Sequence, residues 1–192
     1  MQTSSLAINI VRACWTIFLV VWLLAAVSTR RSVYRERREQ RRRYSILLVI
    51  GYLLLINGRR LPYPLDICII PHTGTMAWTG AFLCSAGLAF SVWARATLGR
   101  NWSATVTLKE GHELIERGPY RLVRHPIYTG MMTMFLATVI VLGHLGGIVG
   151  AVLVFISFWI KLGDEEKLML KQFPDQYAGY QQRVKRIIPF LL

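Results

Sequence analysis

Residues 124–166 read RHPIYTGMMTMFLATVIVLGHLGGIVGAVLVFISFWIKLGDEE, and this stretch decides the fold. Between its two charged ends it holds no Asp, Glu, Lys or Arg, and a glycine-rich reversal at 143–147 divides it into two apolar runs. This pattern predicts two membrane helices joined by a tight turn. A helical hairpin returns the chain to the side it left, so the basic-aromatic motif 124–128 and the acidic cluster 164–166 should meet at one membrane face. Polar groups gathered at the edge of a bilayer indicate a functional site.

The composition of the whole chain agrees with a membrane protein. Of its 192 residues, 54% are hydrophobic and only 17% are charged, whereas a soluble domain carries about 25% charged residues. The sequence predicts an all-α, polytopic integral membrane protein with about five transmembrane helices, the last two forming a tight hairpin. We divide the chain into an N-terminal half, 1–94, with helices one to three, and a C-terminal half, 95–192, with a cytosolic loop, the hairpin and a C-terminal cytosolic helix. The five apolar runs cover about 6–27, 44–57, 74–94, 127–143 and 145–161.

The basic residues predict the topology of the chain. The formal net charge is +13, but the basic residues fall between apolar runs, without zinc-finger spacing or an aromatic-basic RNA signature, so no nucleic-acid partner is expected. Lys and Arg are concentrated in every second connection, in 28–43, 95–126 and 161–192. The positive-inside rule then places these segments in the cytoplasm and the N-terminus outside, in a bacterial inner membrane or an endoplasmic reticulum. The first apolar run could be a cleaved signal peptide, but the arginines that follow it favour a retained helix.

The cysteines and histidines indicate neither disulfides nor a metal. Cys14, Cys68 and Cys84 are scattered and form no C-x-x-C pair, so the sequence supports neither a disulfide framework nor a zinc site. His112, His125 and Glu165 also lack a recognised ligand spacing, and no metal is predicted.

The two ends of the hairpin suit ligand groups of opposite charge. Pro126 is expected in the first turn of a helix, whose free N–H groups form an anion site flanked by Arg124 and His125. The simpler alternative is a basic residue and a proline that merely mark the start of a membrane helix. At the other end, consecutive carboxylates repel one another unless a cation sits among them. Pairing of Lys161 with Glu165 explains little, because a lysine four residues before a glutamate is the weaker order. A solvated helix end is the alternative there.

Together the two ends call for a ligand that carries both an anionic and a cationic group. S-adenosyl-L-methionine has a carboxylate, an ammonium and a sulfonium. A helix N-terminus can hold the carboxylate, and a glutamate can hold the ammonium. Aromatic faces can stabilise the sulfonium, and the candidates are Tyr120, Tyr128 and Trp102.

The C-terminal half, 95–192, resembles the isoprenylcysteine carboxyl methyltransferase family, which implies that this half is the catalytic one and carries the cytosolic cofactor loop. The resemblance is carried by 118–120 (GPY), 124–130 (RHPIYTG), the apolar hairpin, the pair Glu165-Glu166 and the tail 173–180 (FPDQYAGY). It implies an integral membrane fold that binds S-adenosyl-L-methionine at the cytosolic face and admits a lipidic acceptor from the bilayer. The cofactor contacts that it implies are His112, Glu113, Leu114, Ile115, Tyr120, His125, Pro126, Ile127, Tyr128 and Glu165.

The resemblance also implies the reaction, which is carboxyl O-methylation of a prenylated cysteine or a similar isoprenoid or lipid carboxylate. Lys161 would face the acceptor, where the family usually carries arginine, and Trp102 is a second candidate substrate contact. Lys161 and Arg124 are predicted to orient the acceptor oxygen. The expected partners are this acceptor and membrane lipids, with no obligate protein partner.

Other functions remain open from the sequence. A phosphatidylethanolamine-type N-methyltransferase shares the histidine-proline and paired-glutamate pattern, and a nicotinamide-dependent membrane reductase is distantly similar in the C-terminal half. A small transporter or scaffold is the non-enzyme alternative. It is disfavoured because a transporter places its polar groups near mid-membrane, whereas the motifs here gather at the cytoplasmic end.

Overall fold

The computed structural model describes residues 2–26, 32–35, 38–99, 102, 107–109 and 114–189. The all-α fold class is confirmed, with one small addition. Two short strands, Ser32–Arg35 (β1) and Thr107–Lys109 (β2), form an antiparallel pair in which Tyr34 lies opposite Leu108. The elements are α1 (Gln2–Ala26), β1 (Ser32–Arg35), α2 (Arg38–Asn57), α3 (Gly74–Leu98), β2 (Thr107–Lys109), α4 (Pro126–Leu142), α5 (Leu145–Gln172) and α6 (Pro174–Arg183), with 3-10 turns at Gly58–Arg60 and Gly118–Arg121.

Apolar helices long enough to cross a bilayer support a multi-pass membrane protein. Among the described residues, three helices have the required length and composition: Ser5–Ala26 within α1, Gly74–Leu98 and Leu145–Gln172. The helix α4 is equally apolar but only 17 residues long, so it would need a thinned bilayer to span it. The predicted number of five spans therefore stays a prediction.

Two helices extend beyond the apolar runs that predicted them. The helix α2 begins at Arg38 and not at residue 44, because arginine and glutamine are good helix formers and the run of arginines does not interrupt the helix. At the other end of the chain, α5 continues without a break from its apolar part to Gln172. The acidic residues 164–166 are therefore helical, and consecutive side chains point about 100° apart around the axis.

The hairpin of α4 and α5 has the predicted tight turn but an unexpected packing. Only Gly143 and His144 separate the two helices, and Gly143 ends α4 with φ 73°, a left-handed conformation that glycine adopts without strain. However, α4 packs chiefly along α3, and α5 packs chiefly along α2. The hairpin thus joins two helix pairs rather than forming a pair itself.

Glycines allow the close approach of the helices in both pairs. In the α2–α5 pair, a Cβ atom on Gly150 would lie 2.4 Å from the carbonyl oxygen of Gly51. In the α3–α4 pair, a Cβ atom on Gly130 would lie 2.5 Å from the carbonyl oxygen of Gly87. Small residues let backbones approach closely in membranes, where no hydrophobic force drives helices together. Gly150 therefore serves helix packing, whereas Gly143 serves the turn.

Substitution of Gly130 tests the close packing of α3 and α4. We expect Gly130→Ala to destabilise the protein by about 1–3 kcal/mol, because the new methyl group would overlap the Gly87 carbonyl and lie 2.2 Å from the Ser91 hydroxyl oxygen. Gly163→Ala is the control, since a Cβ atom there meets no atom within 4 Å. The control should be neutral or stabilising by up to about 1 kcal/mol. Thermal unfolding in detergent measures both, and equal melting temperatures for the two variants would contradict the packing.

Candidate active site

The segment before α4 and the tail after α6 run side by side. Val123 and Lys185 form a parallel bridge, the Arg124 amide donates to the Lys185 carbonyl at 2.8 Å, and the His125 amide donates to the Arg186 carbonyl at 3.0 Å. These bonds bring the C-terminal tail to the first turn of α4. The side chains of the motif 124–128, of the acidic part of α5 and of the tail therefore surround one site.

A buried carboxylate, Glu166, lies at the centre of the polar cluster. Its Oε1 accepts from the Nε of Arg124 at 2.9 Å and lies 3.1 Å from the Nε2 of His125. Its Oε2 lies 2.5 Å from a guanidinium nitrogen of Arg186 and accepts from the side-chain amide of Gln181 at 3.3 Å. Glu166 is only 5% exposed. A charge buried to this degree is stable only when it is paired and hydrogen-bonded, as it is here.

The guanidinium of Arg124 is engaged within the protein. Besides its contacts with Glu166, it donates from Nη1 to the backbone carbonyls of Gln181 and Val184. Arg124 thus ties α5 and the end of α6 to the start of α4. This geometry favours a positioning role for Arg124 over the predicted direct contact with an acceptor.

The second carboxylate, Glu165, faces a different and more open environment. Its Oε1 accepts from the Tyr128 hydroxyl at 2.6 Å, and its Oε2 lies 3.7 Å from the Nδ1 of His125. Its side chain is 22% exposed, against 7% for Glu166. Glu165 is therefore held in place by one strong hydrogen bond and can still accept others.

Lys161 lies one helical turn before Glu165, on the same face of α5. Its Nζ is 4.0 Å from Glu165 Oε1, the outer limit of an ion pair, and 5.5 Å from the ring centroids of both Tyr44 and Tyr128. The side chain is 12% exposed. The ammonium group thus lies among aromatic rings on α2 and α4, on the apolar side of Glu165.

The predicted cofactor residues of 114–128 converge at the start of α4. Pro126 is the first residue of α4, as predicted, so the amides of Ile127 and Tyr128 lack partners within the helix. Tyr120 is buried against Ile127, and its carbonyl accepts from the Tyr180 hydroxyl at 2.5 Å. Ile115 packs against the same cluster, and Leu114 is half-buried. His112 and Glu113, which the resemblance also implied, lie outside the described residues.

Trp102, a predicted substrate contact, packs within the protein. It is 9% exposed, the guanidinium of Arg95 lies 4.6 Å from its ring centroid, and Trp22 meets it edge-on. Arg95 also donates to the Ala25 carbonyl at 2.8 Å. This set of contacts fastens α1 to α3 and gives Trp102 a packing role.

The sequence reasoning missed four residues of the site. Glu166 was noted only as the neighbour of Glu165, and no role was predicted for Tyr180, Gln181 or Arg186. The available signal was weak: Glu166 is one of three consecutive acidic residues that the sequence does not distinguish, and the basic residues of the tail also serve as topology signals. Burial raises the pKa of the Tyr180 phenol well above its ordinary value, so this hydroxyl is a neutral donor.

Similarity to known proteins identifies the class. The chain is 28% identical over 153 residues to protein-S-isoprenylcysteine O-methyltransferase B of Arabidopsis thaliana, covering 77% of this chain and 78% of that one. It is 38% identical over 72 residues, 37% of its length, to methanethiol S-methyltransferase 1 of Bradyrhizobium diazoefficiens. The solved structure of a eukaryotic intramembrane Ras methyltransferase, an isoprenylcysteine carboxyl methyltransferase, superposes with a TM-score of 0.54 at 26% identity. That match covers 78% of this chain, which spans about half the length of the solved protein, 53%.

Apolar helices with a polar site gathered at one end, together with these relatives, define an integral membrane methyltransferase. More particularly, the chain belongs to the phospholipid methyltransferase family, whose model matches residues 75–176. This match contains α4 and α5 entire and all of α3 except its first residue. The site residues outside it are Tyr44 on α2 and those of α6 and the tail that follows α6.

Proposed function

We propose that the protein transfers a methyl group from S-adenosyl-L-methionine to a carboxylate on a lipidic acceptor, with a prenylated cysteine as the best-supported acceptor. The polar groups near the start of α4 fit this cofactor. The amides of Ile127 and Tyr128 would hold its carboxylate, the open side of Glu165 would hold its ammonium, and the Tyr128 ring offers a face for a cation. When bound, S-adenosyl-L-methionine supplies an electrophilic methyl group carried on a sulfonium.

The contribution of the protein itself is alignment and the exclusion of water. A carboxylate acceptor is already ionised at neutral pH, so the site needs no general base. Lys161 would orient the acceptor carboxylate by charge, and its place on the apolar side of Glu165 supports access from the bilayer. Holding two reactants in a productive geometry supplies several kcal/mol of the rate enhancement, up to about 7–11 kcal/mol in ideal cases. The prenylcysteine acceptor comes from the relatives, and we extend it to this chain as part of the proposal.

The positions of Lys161 and Glu165 carry this proposal. Lys161 and Glu165 lie one turn apart on α5, and Lys161 is nearer the apolar part of the helix. This arrangement suits an acceptor that enters from the membrane and a methyl donor that enters from the water. The site would then face the cytoplasm, on the side given by the positive-inside rule. Arg124, His125 and Arg186 would act as positioning residues through Glu166.

Substitution of Lys161 tests the acceptor. We expect Lys161→Met to lower kcat/KM for a prenylcysteine carboxylate about 10- to 100-fold, the worth of one charge-assisted hydrogen bond. Lys161→Arg should retain most activity, because the cation is kept. Radiolabelled methyl transfer measures this, with phosphatidylethanolamine and an alkyl thiol as rival acceptors. Lys167→Met is the control, since that side chain is 82% exposed on the same helix.

Two outcomes would overturn the acceptor proposal. One is a Lys161→Met enzyme as active as the wild type on the prenylcysteine. The other is a wild-type enzyme that methylates only phosphatidylethanolamine or only the thiol. Neither outcome affects the binding of S-adenosyl-L-methionine. The proposed acceptor can therefore be wrong while the proposed methyl donor is right.

A further inference from the structure

A cavity lies at the opposite end of the helices from the candidate active site. It has a volume of about 550 Å³ and lies between the N-terminal half of α1, the C-terminal ends of α2 and α4, and the connection 58–73. The helix α4 begins at the active site and ends at this cavity, and its 17 residues correspond to roughly 25 Å. A molecule bound there would therefore be neither the methyl donor nor the acceptor at the moment of transfer.

Two arginines lie in the wall of this cavity. Arg12 is the single charged residue of the span α1, and Arg59 belongs to the 3-10 turn that follows α2. Both contribute to the lining, and neither forms an ion pair with a carboxylate in the part of the chain that the structure describes. Asp66 is the only acidic residue of the connection 58–73, and it does not line the cavity. Both arginines are exposed, and they give the lining two positive charges with no acidic residue beside them.

The rest of the lining combines an aliphatic wall with three polar side chains, those of Cys68, His72 and His144. Ile8, Leu55, Ile56 and Val141 supply aliphatic wall. The floor is held by the turn after α4: the His144 Nδ1 lies 2.9 Å from the Asp66 carbonyl, to which it donates because a carbonyl can only accept. An ionised side chain within a membrane helix is rare and usually has a partner or a function. Arg12 meets that expectation if the cavity holds an anion.

We propose that this cavity binds an anionic phospholipid, with the phosphate on Arg12 and Arg59 and part of an acyl chain along the aliphatic wall. A guanidinium recognises phosphate oxygens in a bidentate manner, which an ammonium group cannot do. The volume lies within the range of about 300–1,000 Å³ typical of ligand pockets, enough for a headgroup and a segment of chain. The apolar wall favours a lipid over free phosphate, because free phosphate has no acyl chain to pack against that wall.

Native mass spectrometry of the full chain in detergent, titrated with phosphatidylglycerol or phosphatidylcholine, tests this site. The wild type should retain one phosphatidylglycerol with at least a ten-fold preference over phosphatidylcholine. Arg12→Gln combined with Arg59→Gln should remove that preference. The control for the Arg59 change is Arg60→Gln, which removes one positive charge from the same turn at a residue outside the lining.

A second variant changes the space and keeps the charge. Ile56 is 47% exposed, so Ile56→Trp should fold normally, narrow the aliphatic part of the cavity where the acyl chain would lie, and lower phosphatidylglycerol retention at least ten-fold. Preserved lipid preference in the double arginine variant would overturn the proposal, as would unchanged retention in Ile56→Trp. Displacement of the lipid by millimolar inorganic phosphate would also overturn it, because the site would then recognise the free anion.

Discussion

Replacement of Glu165 by glutamine is expected to weaken the binding of S-adenosyl-L-methionine by about 2–5 kcal/mol, the usual cost of removing one partner from a buried charge pair. This range corresponds to a rise in Kd of roughly 30-fold to several thousand-fold. The reason is geometric. Glu165 is anchored by the Tyr128 hydroxyl at 2.6 Å, so its carboxylate is already oriented and its charge is the property that a bound ammonium would use. The neutral amide keeps the shape and an acceptor for Tyr128, and it removes only the charge.

Isothermal titration with S-adenosyl-L-methionine and with its demethylated product measures this loss. The product carries the same carboxylate and ammonium without the sulfonium, so both affinities should fall by the same factor. The control is Asp164→Asn, which removes the adjacent charge on another face of α5. Unchanged affinity in Glu165→Gln would contradict the assignment of Glu165 to the ammonium. Equal losses in the two variants would also contradict it, since the effect would then be a general one of net charge.

Much of the fold follows from the sequence, because long apolar runs indicate the membrane helices. The positions of α3 and α4 and the tight turn at Gly143 agree with those runs within a few residues. The start of α2 could not be predicted in this way. The apolar run begins at Tyr44, whereas residues with high helix propensity extend back through the arginines to Arg38. The sequence also could not predict which helices pack together, since α4 could pack against α5 or against α3 with equally apolar faces.

The same holds for the site: some of its features follow from neighbouring residues in the sequence, and others depend on residues far away in the chain. The sequence could predict that Pro126 begins a helix, because that signal is local. It could not separate the roles of Glu165 and Glu166, which are adjacent, equally acidic and on the same helix. Their environments differ because Arg186, twenty residues further on, returns to one of them and not to the other. A tertiary contact of this kind leaves no periodic pattern in the chain.

The contact between Glu166 and its cations leads to the second large effect. Glu166→Gln should destabilise the folded protein by about 3–5 kcal/mol, because Arg124 and Arg186 would be left beside each other without a counter-charge. For a chain of this size, that loss corresponds to a fall of roughly 6–20 °C in Tm. The tail should separate from the start of α4 first, since Arg186 and Gln181 would lose their anionic partner.

The appropriate control is an ion pair of the same chemistry on the surface. Glu116 lies 2.8 Å from Arg183, and the two side chains are 37% and 63% exposed. Glu116→Gln should therefore change stability by less than about 1 kcal/mol, because water screens the pair. Thermal unfolding of both variants in the same detergent gives the comparison, and limited proteolysis of the tail reports its release. A Glu166→Gln protein with the melting temperature of the Glu116→Gln protein would mean that the buried cluster does not hold the tail. The start of α4 would then have to be positioned by the backbone bonds of Arg124 and His125 alone.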